Sequence, residues 1–316
     1  MPHTDSAGSA QHSSANPGPV DPALSALDKR IGNLIVNRFT YRALRILGRL
    51  ARPTFEPTKV TIEQTARAVI VTPYLRSGSG ALMLFHGGGF VLGEPADLIP
   101  KASIFAQALG VPVICPTYRL APQSPYPAAI DDAFVAWQTA ITGAAGMDLG
   151  GDLDPTKIVL GGYSAGAGLA ASLAHRLHDH GGIQPAAQML VYPMLDDRTA
   201  ERHALDAPRH RVWSNRNNRF AWSAYLGPGE GADSMPYAAA ARRTDLSGLP
   251  PVWLGVGTCD LFLDEVREYR ACLKAANVEV TYEEVAGAIH GFDMDHNPLG
   301  QRFTEAQLAF VRRFVS

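Results

Sequence analysis

Apolar positions along this chain switch repeatedly between two spacings. Continuous short apolar runs at residues 81–85 (ALMLF), 111–115, 157–161, 187–192 and 252–256 read as strands buried on both faces, and 278–285 as a last strand. Between them, residues 96–109, 127–142, 165–178 and 263–275 carry the three-and-four spacing of helices, and a final helix is expected near 304–314. Residues 60–71 read as a strand pair ahead of this series. Strands alternating with helices of about ten or more residues predict an α/β protein with a mostly parallel, doubly wound sheet and helices on both faces.

Three stretches stand outside the alternation. Residues 1–20 are polar and rich in small side chains, with neither the charged start nor the apolar core of a secretory signal, and are expected to be a disordered tail. From Asp21 to about Arg52 the pattern is helical, with Leu24, Leu27, Ile31, Leu34 and Ile35 followed by Leu44, Leu47 and Leu50. Residues 196–249 are too long for a plain connection and hold Trp213, Phe220, Trp222 and Tyr225. No internal repeat is present. The expected organisation is one domain over 21–316, with a cap formed by about 21–55 and by the insertion at about 196–249.

Composition narrows the partners. A chain of 316 residues that is 46% hydrophobic and 18% charged buries a large core and keeps a soluble surface, which excludes general disorder. The 28 basic and 30 acidic residues leave a net charge of −2, without the basic stripe of a nucleic-acid binder or the basic amphipathic helix of a membrane-surface protein. No apolar run is long enough to span a membrane. Cys115, Cys259 and Cys272 have no metal-ligand spacing and form no even disulfide framework, so no metal is expected. Cys115 reads as a buried small hydrophobe and Cys259 as a space-filler. The default location is the cytoplasm, and the expected partner is a neutral or mildly polar small molecule.

Two glycine-rich segments carry the candidate chemistry. Gly162-Tyr163-Ser164-Ala165-Gly166 follows a buried strand and opens a helix, matching G-x-S-x-G. A serine there needs a strained turn to project its hydroxyl above the sheet, and Gly162 and Gly166 leave room where backbone crowds in. The N–H groups of the following helix favour negative charge at the site. His86-Gly87-Gly88-Gly89-Phe90 follows the ALMLF strand, and its glycines allow the backbone to turn N–H groups toward a developing oxyanion. The expected donors are Gly88, Gly89 and Ala165, with His86 bracing the loop. A dinucleotide fingerprint would need G-x-G-x-x-G leading into a helix, which this run lacks.

The base and acid should follow later strands, in the order serine, aspartate, histidine. His290, in Gly287-Ala288-Ile289-His290-Gly291-Phe292, lies past the last strand, with His296 the alternative. Asp260 lies just past the strand at 251–257, with Asp264 the alternative; Asp264 and Glu265 read as residues favouring a helix dipole. His3 and His12 fall in the tail, His175, His178 and His180 are expected to be solvated, and His203 and His210 fall in the insertion.

Together these residues resemble the hormone-sensitive-lipase-like esterases, the HGGG-marked group of the α/β-hydrolase superfamily. The resemblance runs from about Val60 to the C-terminus. It also includes Tyr118-Arg119-Leu120-Ala121-Pro122, similar to the Y-R-L-A-P segment, and residues 260–265, similar to D-P-L-x-D-E. It implies a Ser164–Asp260–His290 triad, an HGGG oxyanion hole, carboxylester hydrolysis without a cofactor, and a helical cap. A homodimer joined near Thr281 is a family habit. Tyr163 stands in place of the usual aspartate, Ala167 of a glycine, Gln123 of a glutamate, Leu261 of proline and Phe262 of leucine. These departures bear on substrate preference rather than on the reacting groups. Phe90, Tyr163, Trp213, Phe220 and Trp222 are the candidate pocket residues. Amide, carbamate or lactone cleavage on the same triad is the main alternative. A non-catalytic receptor on the same scaffold is the other, although receptors of that type lack the histidine.

Overall fold

The structure is a computed structural model and describes residues 18–24, 27, 34–51, 57–143, 153–206, 210–228 and 231–316. Eight strands form one sheet: β1 (Val60–Gln64), β2 (Ala68–Pro73), β3 (Ala81–Phe85), β4 (Val113–Pro116), β5 (Ile158–Tyr163), β6 (Ala187–Val191), β7 (Val252–Gly257) and β8 (Val280–Val285). Their order is β1-β2-β4-β3-β5-β6-β7-β8. β2 runs antiparallel to β1 and β4, and every other pair is parallel. β3 to β7 are buried at every position, so their apolar character is continuous. At the outer edge, β8 is only partly covered.

The described helices are α1 (Tyr41–Leu50), α2 (Ile99–Leu109), α3 (Ala128–Thr142), α4 (Ala165–His180), α5 (Asn215–Leu226), α6 (Leu263–Ala275) and α7 (Pro298–Val315). α2 and α7 pack on each other and on the sheet, while α3 packs on α4, which lies against β3, β5 and β6. Burial of Phe303 and Phe292 and the edge-on packing of Phe303 against Trp253, at 5.1 Å between centroids, tie α7 to the sheet. α7 begins six residues before the expected helix at 304, because the Asn297 side chain accepts the Gly300 N–H and Pro298 occupies the first turn.

Several expectations change here. His175 is buried rather than solvated, since α4 is covered on this side by α6, and its Nε2 lies 2.9 Å from the Tyr269 hydroxyl. Burial, reinforced by Arg243, brings its imidazole down to about 3. His178 is half-buried and His180 exposed. Residues 1–17, with His3 and His12, and Ile31 of the N-terminal stripe lie outside the described residues. Residues 18–20, expected in the tail, are placed: the Cys259 thiol donates to the Gly18 carbonyl at 3.2 Å and the Asp21 N–H to the Gly287 carbonyl at 2.9 Å. Cys259 therefore tethers the chain's early residues instead of merely filling space.

A basic amphipathic helix is also present, contrary to expectation. In α1, Arg42, Arg45 and Arg49 recur on one stripe while Ala43, Ile46, Leu47 and Leu50 lie on an adjacent one, exposed to solvent. The chain-wide charge near zero conceals this local excess. No described helix is long and apolar enough to cross a membrane.

The described residues of 196–249 form short turns around α5 and are held from below. The buried carboxylate of Glu265, on α6, accepts from the Leu195 N–H at 2.7 Å and the Thr199 hydroxyl at 2.5 Å. It thus turns inward rather than toward the helix dipole, and burial raises its pKa well above the usual carboxylate range. Arg242 pairs with Asp197 at 2.8 Å and also with Asp233.

His175 supplies a test of the core. Its folded pKa lies below the ordinary 6.5, so the unfolded chain takes up the proton first as pH falls. Its contribution is complete above 6.5 and is lost as pH falls toward about 3. His175→Gln keeps a partner for the Tyr269 hydroxyl and removes the titration. Urea midpoints measured between about pH 6.5 and pH 4 should fall less steeply in the variant than in the parent. Equal slopes would show that His175 is not held neutral.

Candidate active site

β5 ends in a turn that few residues tolerate. Ser164 sits at φ 55° and ψ −120°, a conformation that persists only when its surroundings over-determine it. Its N–H donates to the Val191 carbonyl at 2.9 Å, and its carbonyl accepts from Ala167, Gly168 and Met194 at 3.0–3.1 Å. A Cβ on Gly162 would come within 2.3 Å of the Gly166 backbone, and one on Gly166 within 2.3 Å of the Phe85 and His86 carbonyls. Both glycines are therefore required by close backbone approach. Gly168, which the motif does not include, is a third such position, because its Cβ would lie 2.0 Å from the Met194 carbonyl.

The hydroxyl of Ser164 meets the imidazole of His290, Oγ to Nε2, at 3.0 Å. His290 Nδ1 lies 2.8 Å from Asp260 Oδ2, and Asp260 Oδ1 accepts the Phe262 N–H at 2.9 Å. All three side chains are buried. The ring is wedged edge-on between Tyr192, at 4.7 Å, and Phe262, at 5.3 Å between centroids. This relay can pass a proton from the serine hydroxyl to the imidazole, and the Asp260 carboxylate can stabilise the imidazolium that results. The alternatives lie elsewhere: Asp264 pairs with Arg202 at 3.0 Å, and His296 is exposed beside Gln301. His203 pairs with Asp206 on the surface, whereas His210 is buried and held below its usual pKa by desolvation.

The glycine loop after β3 runs alongside the elbow. A Cβ on Gly87 would lie 3.3 Å from Ser164 Cβ. Gly88 and Gly89 take φ of 112° and 61°, which glycine adopts without strain. Among the described residues, no hydrogen bond uses the N–H of Gly88, Gly89 or Ala165. His86 is buried, with Nδ1 2.8 Å from the Gly87 carbonyl and its ring stacked on Tyr118 at 4.2 Å. Burial lowers it to about 4, so at neutral pH it is an uncharged brace. The Y-R-L-A-P segment supports the same loop: the Tyr118 hydroxyl donates to the His86 carbonyl at 2.7 Å, and Arg119 is clamped bidentately by Asp132.

The aromatic candidates divide. Trp213 lies over the loop, its ring 2.4 Å from where a Gly89 Cβ would stand. Phe90 stacks on Tyr225 at 4.0 Å and faces Trp222 at 6.1 Å, so these rings chiefly pack one another. Phe220 is half-buried against Tyr41, at 6.1 Å. Tyr163 is buried, with its hydroxyl 3.3 Å from Gln307 of α7.

Three residues beneath the histidine gave no sequence signal. The Tyr192 hydroxyl donates to Asp293 Oδ1 at 2.8 Å, and Lys101 reaches Asp293 Oδ2 at 2.8 Å. Asp293 follows His290 by three residues, so this buried cluster fixes the loop that carries the imidazole. It was invisible because its members lie on separate elements.

A profile of the family described as alpha/beta hydrolase fold matches residues 82–294, more than half of the chain. An acetyl-hydrolase of Streptomyces hygroscopicus is 31% identical over 287 residues, 90% of this chain and 91% of the relative. The carboxylesterase NlhH of Mycobacterium tuberculosis is 34% identical over 70% of this chain and 68% of its own. Among solved structures, a bacterial heroin esterase shares 30% identity with a TM-score of 0.82, over 94% of this chain and 98% of that one. The chain belongs to the α/β-hydrolase family, in its hormone-sensitive-lipase-like branch.

The crowding at the elbow is directly testable. Gly162→Ala should lower the unfolding free energy by about 1–3 kcal/mol, measured by urea titration, because the backbone at Gly166 cannot move aside. An unchanged midpoint would show that the turn relaxes freely.

Proposed function

We propose that this carboxylic ester hydrolase works by two-step acyl transfer, with Ser164 as nucleophile, His290 as general base and then acid, and Asp260 orienting the imidazole. The observation that carries the reading is the unbroken hydrogen-bonded relay of 3.0 and 2.8 Å through two strand-end loops. His290 accepts the serine proton as Oγ attacks the ester carbonyl. The oxyanion rests on the N–H groups of Gly88, Gly89 and Ala165, whose freedom from protein acceptors among the described residues supports that role. His290 then returns the proton to the leaving alcohol, and water, deprotonated by the same imidazole, releases the acid.

In this reading about 21–55 and the insertion at about 196–249 act as a cap on a single domain that runs from 21 to 316. Support comes from Trp213 against the glycine loop, and from Asn217 of α5, which accepts the Val36 N–H at 3.0 Å. Short- to medium-chain acyl esters suit a site whose oxyanion loop is roofed by Trp213, and one relative is named an acetyl-hydrolase. The free cysteines support a cytoplasmic setting. A homodimer along β8 would use the outer strand of the sheet.

Ser164→Ala should lower kcat/KM for p-nitrophenyl acetate at least about 10⁴-fold with the fold intact by circular dichroism. Undiminished turnover would remove Ser164 from the mechanism. Across p-nitrophenyl esters, kcat/KM should peak between acetyl and hexanoyl and fall toward palmitoyl, and a rise toward palmitoyl would contradict the roofed site.

A further inference from the structure

Residues 35–51 present a surface that catalysis does not use. Phe39, Ile46, Leu47 and Leu50 are 77%, 59%, 57% and 78% exposed, and Ile35 is 56% exposed. On α1, Ala43, Ile46, Leu47 and Leu50 follow one another at spacings of one and three, so they form one apolar stripe, and Phe39 is exposed in the turn just before the helix. A monomer rarely leaves so many large apolar side chains together in water. Beside this stripe runs a second, of Arg38, Arg42, Arg45 and Arg49. No aspartate or glutamate occurs between Asp28 and Glu56, in a chain whose net charge is −2.

Two arginines fix the helix to the body. Arg45 donates to the carbonyl of Val91, just beyond the glycine loop, at 2.8 Å, and to that of Ala121, in the Y-R-L-A-P segment, at 2.7 Å. Arg49 pairs with Glu94 at 2.6 Å, and Arg38 and Arg42 are exposed. The inner face of α1 rests on α5 through Tyr41 and Phe220. The apolar stripe consequently lies on the outside of the element that borders the site, with positive charge along its margin.

We propose that α1 and the turn before it dock this protein onto an anionic lipid surface, bringing the site to esters held there. The chemistry is that of an interfacial helix: apolar side chains enter the headgroup boundary while arginines pair with anionic headgroups. A helix of 10 residues lies in that boundary and does not span it. The charge of the segment selects this occupant, because a second copy would bring the same arginine row against its own. Delivery of substrate rests on the esterase reading, whereas docking itself does not.

The test is vesicle flotation of the full chain. The parent should float with phosphatidylglycerol-containing vesicles at low ionic strength, less so in high salt, and not with pure phosphatidylcholine. Leu47→Gln with Leu50→Gln should lower the partition coefficient by about ten-fold or more, and Arg38→Gln with Arg42→Gln should weaken both binding and its salt dependence. Both pairs should keep turnover of soluble p-nitrophenyl acetate within about two-fold, since neither touches the relay. Ser164→Ala should float like the parent, so loss of ester turnover with retained flotation would fault the hydrolase reading alone. Three outcomes would overturn the proposal: a parent that does not bind anionic vesicles, glutamine pairs that bind equally well, or a parent dimer that the leucine pair dissociates.

Discussion

The strained backbone at Ser164 is the constraint on which the rest of the site depends. Holding a non-glycine residue at φ 55° and ψ −120° costs about 1–3 kcal/mol, and four backbone hydrogen bonds around it make the conformation stable. The turn is tight enough that Gly162, Gly166 and Gly168 each touch backbone that a methyl group would strike. Sheet order then determines what can reach the hydroxyl. β5 lies between β3 and β6, so the loop leaving β3 runs beside the elbow. Asp260 and His290 follow β7 and β8, the last two strands on the other side.

Burial and pairing fix the side chains that hold the loops around the site. His86 is driven neutral by desolvation and spends its Nδ1 on the loop it braces. Asp293, fully buried, is answered by Lys101 and by the Tyr192 hydroxyl, and this network holds the loop that carries His290. Removing one partner of such a buried pair is strongly destabilising, which ties the loop's position to the core. Glu265 does the same for the insertion by capping the N–H of Leu195. The start of the insertion and the loop that carries His290 are thus anchored by separate buried carboxylates, Glu265 and Asp293.

Much of this was legible in the residues. β3 and α6 have the expected bounds, because a strand buried on both faces and an uninterrupted helical stripe leave little ambiguity. The elbow and the glycine loop are legible because each needs particular residues at fixed offsets, whereas Asp260 and His290 are read only from strand ends and chain order, each with a neighbour as alternative. The misreadings share a physical cause. His175 and Glu265 are polar residues whose burial depends on which element packs opposite, a tertiary fact that periodicity does not contain. Cys259 meets Gly18 across 241 positions. In α1 the error was one of averaging, since a balanced total charge concealed a stretch without a single acid.

Labelling with a fluorophosphonate, followed by peptide mapping, tests the central claim most directly, because the probe reports a nucleophilic serine independently of any assumed substrate. One adduct per chain is expected, on the peptide containing Ser164, with its rate of formation strongly reduced in Asp260→Asn. An adduct on another serine, or labelling at Ser164 that proceeds equally fast in Asp260→Asn, would contradict the relay as the source of its reactivity.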